Sequence, residues 1–184
     1  MNVFPSRIAY VIRNFPKFSE TFIAGELAEL RRRGIEVRIL ATKTPGNQVR
    51  HSIIAEAGLD RLVVYGLENF AVVVKEFRPE LIHAHFATDP TATAMALAAE
   101  FNLPFTFTAH GYDIRRDPPT DFAARAAAAS ALITVSQANA RLIARSFDVP
   151  IERIHVIPCG VDTDLFQPPQ VSVSKLDAPG ARTP

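Results

Sequence analysis

The feature that most constrains this chain is a regular alternation of short apolar runs with stretches of helical periodicity. Arg7 to Ile12 (RIAYVI), Ile35 to Ala41 (IEVRILA), Glu80 to Phe86 (ELIHAHF), Pro104 to Ala109 (PFTFTA), Ala131 to Val135 and Ile154 to Ile157 are brief and bounded. Runs of that length suit strands buried on both faces. Arg61 to Tyr65 reads as a further short strand. Between the runs lie helices. From Ser19 to Arg33, Ile23, Leu27 and Leu30 fall at i, i+4 and i+7 on one face, and Gly34 ends the helix. Gly66 to Phe77, Thr120 to Ser130 and Ser136 to Phe147 also read as helices. Asp89-Pro90 reads as an N-cap with proline at the first helical position of a helix reaching Phe101. Thr42 to Asp60 is polar and irregular, with a short helix near Ser52 to Ala57, and HGYDIRRDPP after the PFTFTA run reads as a loop. This order predicts one Rossmann-like α/β/α domain, its mostly parallel sheet covered on both faces. The domain spans 1–168, and the Pro-rich polar stretch 169–184 is expected to be a linker or tail.

Composition narrows the function classes. Hydrophobic residues make up 48% of the 184, enough for a real core, and the net charge of +1 gives no field for nucleic acid. A single cysteine, Cys159, permits no disulfide within one chain and fits a reducing compartment. The first residues lack the pattern of a secretory signal, and no apolar run approaches the ~18 residues of a membrane span. The expected location is cytoplasmic. Arg31, Arg32 and Arg33 leave peripheral contact with the inner membrane face open.

In an open parallel sheet, ligands bind beyond the carboxyl ends of the strands. Polar residues follow five of the strands here, so a cleft wall is expected along that rim. Ser19, Glu20 and Thr21 open the first helix, where exposed N–H groups gather. No G-x-G-x-x-G follows the first strand, and Glu20 would repel a phosphate while accepting bonds from sugar hydroxyls. The bland alternative is a plain N-cap. His110 ends a strand beside Gly111, whose missing side chain allows close approach. As a neutral imidazole it would hydrogen-bond a sugar or phosphate oxygen; as a cation it would steady developing charge. Asp113 and Arg115 would orient that loop, reach a ligand, or pair with each other. His83 and His85, two apart on a strand, face one side. His85 is the cleft candidate and His83 the packed one. Their spacing suits a metal pair, but the sequence declares no third ligand, so no metal is expected. Ser136 reads as an N-cap, and Cys159 as a packed, unreactive thiol.

The order of FPKFSETFIAGELAELRRRGIEV, ELIHAHF, PFTFTAHGYDI, ALITVSQANARLIARSF and RIHVIPCGVDTDLFQP resembles the N-terminal half of glycosyltransferase family 4, the "group 1" class of retaining GT-B enzymes. The resemblance covers about Ile8 to Pro168 and looks closest to members acting in exopolysaccharide or colanic-acid-type assembly. It implies two Rossmann-like domains facing a cleft. The N-terminal one binds a saccharide or lipid-linked acceptor. The C-terminal one binds the nucleotide-sugar donor, a co-substrate, through a basic pair and a Glu-x7-Glu motif. Catalysis would be metal-independent, retaining and without a cofactor. On this resemblance His110 contacts the transferred sugar, and Ser19 to Thr21 lie near donor phosphate and acceptor. Asp113 and Ser136 match family positions near the site. GVDTDLFQP corresponds to the end of the first domain. No Glu-x7-Glu stretch follows it, so the donor-binding domain is expected to be missing and the chain inactive alone. Two other readings stand beside this one: half of another GT-B enzyme, such as a nucleotide-sugar epimerase or a glycogen-synthase-like enzyme, and a non-catalytic interaction domain.

Overall fold

The computed structural model describes residues 4–46, 51–164 and 166–168; the expected tail at 169–184 lies outside them. Among the described residues seven strands form one sheet: β1 (Arg7–Asn14), β2 (Glu36–Lys43), β3 (Val63–Tyr65), β4 (Leu81–His85), β5 (Phe105–Ala109), β6 (Ala131–Thr134) and β7 (Ile154–Val156). Their order is β3-β2-β1-β4-β5-β6-β7, and every neighbouring pair is parallel. The helices are α1 (Thr21–Arg32), α2 (Ser52–Glu56), α3 (Phe70–Phe77), α4 (Asp89–Phe101), α5 (Gly111–Arg115), α6 (Phe122–Ala128) and α7 (Gln137–Phe147). The expected Rossmann-like α/β domain is therefore present.

The sheet order decides where each helix lies. Parallel crossovers are right-handed, so a change in direction of strand addition moves the connecting helix to the other face. The chain first builds outward from β1 through β2 to β3, with α1 and α2 on one side. There Ile8, Tyr10, Ile12, Val37 and Ile39 pack with Ile23, Leu27 and Ile54. It then returns past β1 and adds β4 to β7 in the opposite direction. The helices α3, α4, α6 and α7 consequently lie on the second face, against Ala9, Val11, Phe105, Phe107 and Leu132. Phe122 anchors this side, stacked 4.1 Å from Phe147 and edge-on to Phe107.

Helices thus lie on both faces, as expected, but the α1-side layer is incomplete. On the α1 side, Thr106 and Ile133 remain partly exposed and His155 exposed. The same handedness that puts four helices on one face leaves β5 to β7 without one on the other, among the described residues.

Local corrections have local causes. The PFTFTA run does not end in a loop. α5 begins at Gly111, because the Asp113 carboxylate accepts the backbone N–H of His110 (2.8 Å) and steadies its first turn. Glu20, not Ser19, sits at the N-cap of α1 and makes no side-chain cap bond. Its carboxylate is drawn instead to Lys17 Nζ at 2.5 Å. Thr88, not Asp89, occupies the cap position of α4. Residues 67–69 form a 3₁₀ turn before α3 rather than its first turn. At the end of α1, Gly34 adopts φ 83°, the left-handed conformation that stops the helix. Arg32 and Arg33 both bond Glu29, and Arg31 bonds the Ala57 carbonyl.

Candidate active site

The switch in strand order falls between β1 and β4, the place in such sheets where a crevice opens. A cleft of about 1430 Å³ lies there, lined by Tyr10, Phe22, Glu26, His83, His85 and His110, among others. It does not stop at the rim. Thr106, Thr108 and Ile133 line it too, so its floor is the uncovered α1-side face of the sheet. The chain beyond β7, from Ile157 to Asp162, forms another part of the wall.

Three histidines meet in this cleft. His83 and His85 alternate with Ala84 on β4, so both rings emerge on the α1 side. His83 is held by Thr106 Oγ1 at its Nδ1 (2.8 Å) and by Thr108 Oγ1 at its Nε2 (3.2 Å). His85 Nδ1 lies 3.2 Å from His110 Nε2, and His85 Nε2 lies 3.5 Å from Glu26 Oε2. Glu26 in turn accepts the Tyr10 hydroxyl at 2.7 Å. A continuous polar line thus runs Tyr10–Glu26–His85–His110. Phe22 and Phe86 flank the His110 ring at 4.9 and 4.6 Å.

Burial decides the charges. It pushes the His83 imidazolium down to about 3, with the charge of His85 adding to the effect. His110 falls to about 4 for the same two reasons. Both rings are therefore neutral at neutral pH, so His110 offers the cleft a hydrogen-bonding ring and not a cation. Burial pushes the Glu26 carboxyl up, but the close approach of His85, then the charge of His83 and the Tyr10 hydroxyl, bring it to about 2. Tyr10 is raised by burial and by Glu26.

The loop after β4 is fastened on several sides. Asp113 accepts the Ala87 N–H at 2.5 Å, Arg125 reaches the Ala87 and Thr88 carbonyls at 2.7 and 2.6 Å, and Thr91 bonds the Phe86 carbonyl. Phe86 has φ 72°, a conformation costly for a side-chain-bearing residue and one that clusters at working sites. Here it turns the ring toward His110.

The expected site residues separate into two groups. Thr21, His85 and His110 line the cleft. Ser19, Glu20, Gly111, Asp113 and Ser136 do not appear in its wall. Asp113 is fully buried, and its carboxylate serves the backbone N–H groups of Ala87 and His110 instead of Arg115. Open space surrounds the missing Gly111 side chain, so no neighbour in the chain requires glycine there. Ser136 Oγ accepts the Asn139 N–H at 3.1 Å, the N-cap of α7. Ser136→Ala is expected to cost about 1 kcal/mol, read by denaturant melts, with cleft affinity unchanged. Cys159 corrects its expectation: it is exposed, because the strand has ended and its segment runs along the cleft mouth. Burial of the thiol still raises its pKa. Tyr10, Phe22 and Glu26 were not singled out from sequence. Glu26 lies three residues after Ile23 and one before Leu27, at the edge of the apolar stripe, and that placement was the available signal.

A parallel α/β domain with a cleft at its switch point is the architecture of the N-terminal half of GT-B glycosyltransferases. Comparison with known proteins agrees. The family Glycosyltransferase Family 4 matches residues 19–165, and the chain belongs to it. A 55-residue stretch, 26% of this chain and 13% of the relative, is 42% identical to the MMP alpha-(1->4)-mannosyltransferase of Mycolicibacterium hassiacum. Among solved structures, a glycosyltransferase from Rickettsia africae is similar over 93% of this chain and 47% of its own, with TM-score 0.65 and 15% identity. HepE from Anabaena, solved with UDP and glucose, is similar over 89% of this chain and 47% of its own (TM-score 0.53, 16% identity). The UDP-GlcNAc 2-epimerase of Methanocaldococcus jannaschii is similar over 82% and 45% (TM-score 0.52, 10% identity). These likenesses establish the fold. The chain spans about half the length of these solved structures. Among the described residues, no helix is long and apolar enough to cross a membrane.

Proposed function

We propose that this chain is the acceptor-binding half of a retaining glycosyltransferase. It works with a donor-binding domain to move a sugar from a nucleotide-sugar to a saccharide or lipid-linked acceptor, in assembly of a surface polysaccharide. The observation that carries this reading is the polar line Tyr10–Glu26–His85–His110 along the cleft at the switch point. An ionised carboxylate and the neutral His110 imidazole, set between aromatic rings, suit sugar hydroxyls, which need both donors and acceptors. Among the described residues no basic cluster lines that wall for a pyrophosphate, which fits a donor phosphate held by the other domain. A lipid-linked acceptor would place the work at the inner face of the membrane.

The test is a calorimetric titration of the chain with oligosaccharides and lipid-linked sugars, then an activity assay with nucleotide-sugars. Acceptor binding without turnover is expected, with turnover appearing when a donor-binding domain is joined. Sugar transfer by these 184 residues alone would end the half-enzyme reading. The likeness to a UDP-GlcNAc 2-epimerase keeps one rival in view. Isomerisation of a nucleotide-sugar by the joined protein, with no acceptor present, would favour it.

A further inference from the structure

We propose that Glu26, His83 and His85 form a three-ligand site for a divalent cation of the zinc class. The histidine pair was visible in the sequence, but its third ligand was not. The fold brings Glu26 from α1 across to β4, so that one donor atom from each residue lies within 4.8 Å of the others.

Three observations support the site. The first is an unanswered atom. His85 Nε2 is buried in a residue only 1% exposed and has no hydrogen-bond partner. It faces Glu26 Oε2 at 3.5 Å, longer than a hydrogen bond needs. The second is the outer shell. Metal-bound histidines give their other ring nitrogen to a neighbour, which fixes the ring, and metal-bound carboxylates are likewise held. Here His83 Nδ1 meets Thr106 Oγ1, His85 Nδ1 meets His110 Nε2, and the second Glu26 oxygen accepts the Tyr10 hydroxyl. A ring nitrogen of His83, a ring nitrogen of His85 and a Glu26 carboxylate oxygen thus stand within 4.8 Å of one another. His83 Nε2 already meets the Thr108 hydroxyl at 3.2 Å, a bond that an ion on that nitrogen would displace. The third is donor chemistry. Two imidazoles and one carboxylate suit zinc, cobalt or nickel, whereas magnesium and calcium prefer oxygen alone.

Binding would draw the donors to roughly 2.0–2.2 Å from the ion. Glu26 is the one to move, since its side chain is 42% exposed while the histidines are fixed in the sheet. The cation would then pin α1 to β4 and hold His85 against His110. A fourth position would remain for water or a hydroxyl entering the cleft. This proposal does not depend on which reaction the cleft serves.

The experiment is a titration of the EDTA-stripped chain with zinc chloride by calorimetry, and with cobalt chloride by visible absorption. One ion per chain and the intense bands of tetrahedral cobalt are expected. His85→Ala and Glu26→Gln should weaken uptake at least 100-fold. Tyr10→Phe should weaken it about tenfold through the outer shell. His51→Ala with His155→Ala should leave it unchanged. Zinc-edge X-ray absorption of the loaded, unmutated chain should show two imidazoles and oxygen, whether or not the variants fold. A first shell lacking the two imidazoles, or no saturable uptake by the intact chain, overturns the proposal.

Discussion

Replacing His110 by alanine is expected to lower kcat/KM about 100-fold in a protein joining this domain to a donor-binding half. The ring ends β5, sits between Phe22 and Phe86, and shares its Nε2 with His85 Nδ1 at 3.2 Å. Its position is therefore fixed from three sides before any ligand arrives, and preorganised groups lose least when the transition state forms. Burial holds its pKa near 4, so the ring carries no proton-borne charge at neutral pH. Two results follow. On the proposed function, which sets His110 at the reacting centre, the loss should fall mainly on kcat, because such a group contributes little to ground-state binding. The rate should also show no titration of His110 between pH 6 and 8. Initial rates across that range would measure both. A variant within threefold of the parent would remove His110 from the mechanism.

The largest effect on stability is expected from Asp113→Ala. The carboxylate is fully buried and accepts the N–H groups of Ala87 and His110, at 2.5 and 2.8 Å. Alanine would leave both donors buried and unpaired, at a cost of about 3 kcal/mol. For a chain of this size that lowers Tm by roughly 6–12 °C. A pH dependence accompanies it. Burial lifts the Asp113 carboxyl to about 6, although the N–H donors pull the other way. A raised acid pKa means that the folded chain binds the proton more tightly than the unfolded chain. The contribution is thus fully present below the ordinary carboxylate value, near 4, and is lost as pH rises to about 6. Asp113→Asn, which resembles the protonated acid, should flatten that part of the stability profile. Thermal melts between pH 4 and 7 would test it, and a parent profile unchanged against the Asn variant would contradict it.

Periodicity made the sheet legible in advance. RIAYVI, ELIHAHF and PFTFTA became β1, β4 and β5, because an apolar run of that length has few other places to go. Gly34 and Ser136 ended and began helices as their chemistry requires. What the sequence withheld were relations across the chain. Asp113 reads as a loop acid until α5 carries it under the loop after β4. Glu26 reads as a surface residue of an amphipathic helix until α1 packs over β1 and Tyr10 claims it. Likewise, nothing in Thr106 or Ile133 announces that a face would stay uncovered. That follows from strand order, which local pattern does not encode.

The uncovered face also has a thermodynamic meaning. Because the cleft floor is the sheet itself, a molecule lying in it shields strands that solvent otherwise reaches. Occupancy and folding then become two readings of one equilibrium. A ligand at 100 times its Kd adds about 2.7 kcal/mol to the resistance of the fold to unfolding. Melting temperature can therefore rank candidate occupants before any reaction is known, and the domain's apparent robustness becomes a property of the mixture it is kept in.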